Sequence, residues 1–185
     1  MSVRDGLLAV LTLGEGYGLQ LHSELATRAP HRRAVNVGQI YSTLERLART
    51  GLVEPAGTSA DSFPLYRLTD AGRHAAAAWM TEPVLDSLPE WTEMLDQVLV
   101  TSSIDPVAAS TVAVHYRRWW EHDLTATRST AEPELADARL ALVAREAQAV
   151  AAVAWLGSAI AALADYDSFR PLSSDRPKRG RRANS

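Results

Sequence analysis

Residues 36–73 read NVGQIYSTLERLARTGLVEPAGTSADSFPLYRLTDAGR, and the fold turns on how that stretch is parsed. Asn36 is a favoured helix N-cap, because its side-chain oxygen can accept from a backbone N–H of the first turn. Val37, Ile40, Leu44 and Leu47 then recur at helical spacing and form one apolar stripe. At about 100° per residue, the opposite face carries Gly38, Gln39, Ser42, Glu45, Arg46 and Arg49, with Tyr41 on the shoulder. Gly51 supplies the left-handed residue that ends a helix, and Leu52 packs back over the last turn.

Two short runs come next, Leu52–Pro55 and Leu65–Leu68, flanking Ala56–Phe63, which is rich in Gly, Ser, Thr, Ala and Asp. The second run alternates as a half-buried strand should, with Tyr66 and Leu68 on one side and Arg67 on the other. Thr69 N-caps another helix, Asp70 in its first turn suits the helix dipole, and Gly72 lets that helix approach its neighbours closely. Upstream, Leu7, Leu8 and Leu11 give one helix stripe and Tyr17, Leu21 and Leu25 a second, with Gly14, Gly16 and Gly18 between. The order helix, helix, helix, hairpin, helix is that of a winged helix-turn-helix, which lays its third helix in a DNA groove.

Three segments carry a family resemblance: LLAVLTLGEGYGLQL (Leu7–Leu21), VGQIYSTLERLARTGLVE (Val37–Glu54) and LYRLTDAGR (Leu65–Arg73). Together they resemble the PadR family of bacterial transcriptional regulators. The family pattern is an apolar first helix, a Gly-Tyr turn, a Tyr-x-x-Leu-x-x-Leu recognition helix closed by Gly-Leu, and a wing ending in Tyr-x-Leu-Thr-x-x-Gly. The Leu-Thr-x-x-Gly element is shared with MarR-type winged helices. Those normally place a dimerisation helix first, whereas here the DNA-binding unit starts almost at Met1. The resemblance implies a dimer on double-stranded DNA with an inverted-repeat operator. Family members with a long C-terminal region dimerise through it, and about a hundred residues lie beyond the winged helix here. Several PadR-like regulators also bind aromatic or drug-like molecules near that interface.

Gln, Ser and Arg side chains can read base edges or grip phosphates. The expected base readers are therefore Gln39, Ser42, Arg46 and Tyr41, and the expected phosphate contacts are Arg32, Arg33, Arg49 and Arg67. The wing tip carries Asp61 and no Lys or Arg, so no basic wing is expected.

Charge separates this head from the rest. The net charge of −3 splits into +1 over residues 1–80 (eight Arg, seven acids) and −9 over 81–169 (five Arg, fourteen acids). Residues 170–185 contribute +5 (five Arg and Lys178 against Asp175). Phosphate repels the acidic middle, which should point away from DNA. A chain of 185 residues suits one domain plus a substantial appendage. Without cysteine there is no thiol redox sensor, thiolate metal site or disulfide. The apolar run after Arg4 is short and reads as a helix and not a signal peptide, and Gln148–Ala164 is short for a bilayer span of about 20 residues. A cytoplasmic protein is expected.

The expected organisation is a winged helix-turn-helix over residues 1–80, a helical dimerisation and effector module over 81–169, and a basic disordered tail over 170–185. Thr81–Pro89, with two prolines, reads as a linker. Leu88, Trp91, Leu95, Val98 and Leu99 keep helical spacing to about Ser102. Asp105-Pro106 is an N-cap with proline at the first helical position, opening a helix past Trp119 and Trp120. A last helix of roughly 50 Å is expected from Glu134 to about Asp167. In it Leu142, Ala149, Val153, Leu156, Ile160 and Leu163 fit a near-heptad, with Glu146 the misfit. That stripe is the expected seam with a second copy.

All five tryptophans lie after residue 78, most simply as core or interface anchors. The sharper reading makes Trp119, Trp120 or Trp155 a surface for an aromatic effector. His115 and His122, seven apart, do not have metal-ligand spacing, and neither a phosphate loop nor a nucleophile elbow is present. No cofactor, metal or catalytic residue is expected. The tail RPLSSDRPKRGRRANS reads as a solubilising terminus or a loose phosphate tether. The function implied is that of a sequence-specific transcriptional repressor released by an effector. The alternative is a protein-interaction module that docks a partner through its acidic, Trp-rich helices.

Overall fold

The computed structural model of the chain describes residues 3–31, 35–83, 85, 88–131 and 133–173. It is mostly helical, with one small antiparallel sheet. In chain order the elements are α1 (Val3–Leu11), β1 (Gly16–Tyr17), α2 (Gly18–Arg28), α3 (Val37–Arg49), β2 (Val53–Thr58), β3 (Pro64–Leu68), α4 (Asp70–Thr81), α5 (Trp91–Ser102), α6 (Pro106–Arg128) and α7 (Ala136–Asp165). They divide into two compact units, Met1–Trp79 with Arg170–Ser185, and Met80–Phe169. The chain therefore leaves the first unit within α4 and returns to it after α7.

In the first unit Leu7, Leu21, Ile40 and Leu44 meet with no exposed surface, joined by Leu47, Val53 and Leu68. The α3 stripe read from the sequence is buried, except that Val37 is half-exposed. Asn36 caps α3 by accepting from the Gly38 N–H at 2.8 Å, and Gly51 ends it at φ +69°. Thr69 starts α4, its hydroxyl accepting from the Gly72 N–H (3.1 Å) and donating to the Gly51 carbonyl (2.6 Å). At Gly72 a Cβ would stand 1.9 Å from the Leu52 carbonyl oxygen, so no side chain fits there.

The sheet has the order β1-β3-β2. The β2–β3 hairpin is the expected wing, with β2 extending to Thr58 through an irregularity between Pro55 and Thr58. The third strand was not expected from sequence. Gly16 and Tyr17 pair with Tyr66 and Leu65, and the Tyr17 ring stacks on Phe63 at 5.2 Å. A two-residue strand is too short to show alternation.

Arg170–Ser173, expected to open a disordered tail, instead form a strap on α2. Arg28 Nη2 donates to the carbonyls of Arg170 and Pro171, each at 3.0 Å. The Ser173 N–H donates to Glu24 Oε1 at 2.7 Å, and Gln20 Nε2 donates to the Ser173 carbonyl at 2.9 Å. Leu172 packs on the core beside Gly14. Beneath the strap Arg28 Nε donates to Glu24 Oε2 at 2.9 Å, and both side chains are buried. Burial lowers the Arg28 pKa, opposed by the hydrogen bond and charge of Glu24. Ser174–Ser185 lie outside the described residues.

The second unit is a three-helix layer. Asp105 caps α6 through the Ala108 N–H at 2.9 Å, with Pro106 at its first turn. Its core holds Met94, Val112, Trp120, Ala149, Ala152 and Leu156. Tyr116 donates to Gln97 Oε1 at 2.5 Å, and burial pushes its phenol up to about 12. Ion pairs Arg128–Glu146 and Arg145–Asp123 tie α6 to α7.

The expected seam on α7 is thereby reassigned. Ala149 and Leu156 are buried against the unit's own helices, and Val153 and Ile160 pack on the same core. The reason is that α6, at 23 residues, is long enough to line most of the 30-residue α7. A second stripe stays open: Leu140, Val143, Ala147, Val150, Ala154 and Ala161 are all exposed, again at three-four spacing. By length and composition alone α7 is also apolar enough to cross a membrane.

Candidate DNA-binding interface

The polar face of α3 is presented because its other face is consumed. Ile40, Leu44 and Leu47 fix the helix on the core, leaving Gln39, Ser42, Glu45, Arg46 and Arg49 exposed. Ser42 Oγ donates back to the Gln39 carbonyl at 3.1 Å. Among the described residues neither Arg46 nor Arg49 is paired with a carboxylate, so both guanidiniums have their donors available. Arg32 and Arg33 lie outside the described residues.

Tyr41 is half-buried on the shoulder of this face. Its ring occupies the space a side chain would need at Gly18, where a Cβ would stand 2.5 Å from the ring. Gly18 thus admits the ring at the first residue of α2, and Tyr41 locks α3 to that helix.

Arg67 is differently placed. It stands opposite Glu54 across the hairpin, donating from Nε to Glu54 Oε1 at 2.8 Å, with Glu15 3.9 Å away. The hydrogen bond and charge of Glu54 raise its pKa. The wing therefore offers one cation already shared between two carboxylates, and Asp61 at its tip is exposed.

In the second unit the three tryptophans expected at an effector site are unequal. Trp120 is fully buried, and its indole N–H has no partner among the described residues. Trp119 meets it edge-on at 5.1 Å and donates to the Leu85 carbonyl at 3.2 Å. Trp155 is half-buried against Trp91, ring centres 6.0 Å apart. A separate open groove of about 530 Å³ is lined by Leu88, Pro133, Ala141, Leu142, Arg145 and Gln148, and by none of these tryptophans. No cluster of three or more potential metal ligands occurs among the described residues.

Comparison with known proteins bears on the first unit. Residues 7–78 match the transcriptional regulator PadR-like family. No curated protein matches the chain. Among solved structures, Bacillus subtilis PadR in complex with operator DNA is 20% identical, covering 88% of this chain and 99% of that one at a TM-score of 0.41. The same protein in complex with p-coumaric acid is 19% identical over 89% and 100%, at 0.39. The PadR-like transcriptional regulator BC1756 from Bacillus cereus is 20% identical over 88% and 98%, at 0.37. The match over residues 7–78 runs from within α1 to within α4 and includes the whole of α3 and the β2–β3 hairpin. Residues 7–78 of this chain are thus similar to the PadR-like family of transcriptional regulators.

Proposed function

We propose that the chain is a homodimeric, sequence-specific repressor that binds inverted-repeat operator DNA through α3 and releases it when an aromatic small molecule binds the helical unit. The observation carrying this reading is the α3 face: a rigidly seated helix that exposes Gln39, Ser42 and two guanidiniums not held by a carboxylate among the described residues. Gln39, Ser42 and Arg46 read base edges, with Tyr41 at the margin, while Arg32, Arg33 and Arg49 hold phosphates. Arg67 is the weakest phosphate contact of the set, because Glu54 competes for it. Dimerisation uses the open α7 stripe from Leu140 to Ala161, and the half-site centres then lie about ten base pairs, or a multiple, apart. The protein acts in the cytoplasm by binding and not by catalysis.

The effector acts at Trp119, Trp120 or Trp155, favouring one dimer geometry over another. It can shift that equilibrium only by its differential affinity for the two, about 1.4 kcal/mol per tenfold change. A mobility-shift titration of the purified protein on the DNA upstream of its own gene, at several salt concentrations, tests the reading. A shift that resists random competitor DNA and weakens with salt is expected. No shift at any salt overturns it in favour of a module that docks a protein through its acidic helices. Quenching of tryptophan emission by planar aromatics, paired with loss of the shift, tests the effector.

A further inference from the structure

Helix α2 divides its surface into rows at i, i+4 spacing, and each row has its own occupant. Leu21 and Leu25 are buried in the core of the first unit. Gln20, Glu24 and Arg28 hold the strap. Ser23, Ala26 and Thr27 are exposed. The remaining row, Gly18 and His22, is turned to α3 and the residues that lead into it.

Gly18 lies under the Tyr41 ring, where a Cβ would stand 2.5 Å from it. One turn along α2, His22 Nε2 lies 2.6 Å from the Val35 carbonyl oxygen. A carbonyl only accepts, so the ring nitrogen carries the proton and donates it. Val35 stands one residue ahead of the Asn36 cap, and its side chain is half-buried against the core. Its carbonyl belongs to neither helical ladder, and a backbone acceptor so placed needs a donor from elsewhere in the chain. His22 is that donor.

The two contacts fix different points. The His22 bond holds the place where the chain enters α3, and the Tyr41 ring on Gly18 holds the shoulder of the helix about one turn later. The stripe of Ile40, Leu44 and Leu47 supplies the burial, but apolar attraction is non-directional and permits a small roll of the helix. A hydrogen bond does not, since it weakens steeply off its line. A ring seated where no side chain fits resists the same roll. Gln39 lies between the two fixed points and Ser42 directly after the second, so the base-facing groups are aimed by them.

We propose that His22 is a positioning residue for the reading helix: together with the Gly18–Tyr41 contact it sets the angle at which Gln39, Ser42 and Arg46 meet base edges, while touching no base itself. The proposal rests on the DNA-binding reading above and adds to it the residue on α2 that governs discrimination.

The test measures binding of the full-length protein to upstream DNA and to a random duplex by fluorescence anisotropy, and compares the ratio of the two affinities. Three variants are set beside the parent: His22→Ala, His22→Gln and Gly18→Ala. The first removes the donor, the second offers an amide N–H in its place, and the third displaces the Tyr41 ring. Melting curves accompany each. Imidazole nitrogen NMR of the free parent protein checks the bond without DNA.

His22→Ala should lower the ratio at least about fivefold, the low end of what one well-placed base contact is worth, and leave the random duplex within about twofold. His22→Gln should recover most of the loss, and Gly18→Ala should lower the ratio as His22→Ala does. The NMR spectrum should show His22 Nε2 protonated. A bare Nε2 overturns the hydrogen bond, whatever the DNA result. An unchanged ratio in His22→Ala overturns the positioning role, and so does an equal loss on both duplexes, which marks a phosphate contact. A loss that Gln does not restore overturns the part given to the hydrogen bond. Should His22→Ala melt below the assay temperature, Gly18→Ala decides, and an unchanged ratio there overturns the two-point hold. Failure of the parent to prefer upstream DNA instead overturns the DNA-binding reading itself.

Discussion

Helices α3 and α7 solve opposite problems with the same periodicity. Thirteen residues of α3 bury one apolar stripe inside their own unit, and the residues left fully exposed are Gly38, Gln39, Ser42, Glu45, Arg46 and Arg49. Thirty residues of α7 bury only Ala149, Ala152 and Leu156 fully, and what is left over includes a second apolar stripe. A helix whose hydrophobic face is already satisfied can offer its remaining face to a charged ligand. One that keeps a second exposed stripe needs another apolar surface, because leaving such a stripe in water costs roughly 25 cal/mol for each Å² not covered. Under the proposed function the two helices serve different partners, nucleic acid for one and a second copy of the chain for the other.

The contrast breaks most visibly in the core. Leu44→Ala should cost about 2–5 kcal/mol in denaturant unfolding, since it empties a fully buried site. Val143→Ala, on the open stripe of α7, should stay within about 0.5 kcal/mol when measured on dissociated protein. Equal costs would mean that the α7 stripe is packed within its own chain to the same degree that the α3 stripe is.

Next in size is association. Val143→Glu with Val150→Glu should raise the dimer dissociation constant a hundredfold or more, about 3 kcal/mol, while helical circular dichroism stays at the parent value. Sedimentation of a stable dimer by this double variant would move the interface elsewhere. A chain cut before α7 is a poorer probe, because it also loses the strap that completes the first unit.

Smaller effects resolve the α3 face itself. Arg46→Ala should lose about 1–3 kcal/mol on specific DNA and less on random sequence, whereas Arg49→Ala should weaken both alike. Identical losses on both duplexes would demote Arg46 to a phosphate contact. Smallest is the cap: Asn36→Ala should lower thermal stability by about 1 kcal/mol through the Gly38 N–H it leaves unserved.

Local physics explains what the sequence reveals. The N-caps at Asn36, Thr69 and Asp105, the stop at Gly51 and the stripe of α3 depend on residues within one or two turns, and each is legible for that reason. So is the need for a bare Gly72, although only the structure identifies the Leu52 carbonyl as the atom in the way. The exposure of Gln39, Ser42, Arg46 and Arg49 comes from the same stripe.

Long-range choices were hidden. Both stripes of α7 have heptad spacing, and nothing local says that α6 takes the one through Leu156 and leaves the one through Val143. The neutralisation of Arg67 depends on hairpin register, which pairs Glu54 with it across the sheet. Glu24 and Arg28 are visible as an i, i+4 pair, yet that spacing on a helix surface normally means a solvated contact. Here a segment 142 residues further along lies over it.

That separation sets an order of events during synthesis. Glu24 leaves the ribosome 149 residues ahead of Ser173, an interval of roughly 7–30 s at 5–20 residues per second. Once α4 has emerged, and for the rest of that interval, the nascent first unit has its four helices, its wing and an unfilled groove floored by a carboxylate and a guanidinium. The earliest-made domain is among the last to be finished. Where many ribosomes translate one message, the strap of a chain ahead reaches an open groove before that groove's own strap exists, which makes exchange of straps between neighbours the natural misassembly for this topology.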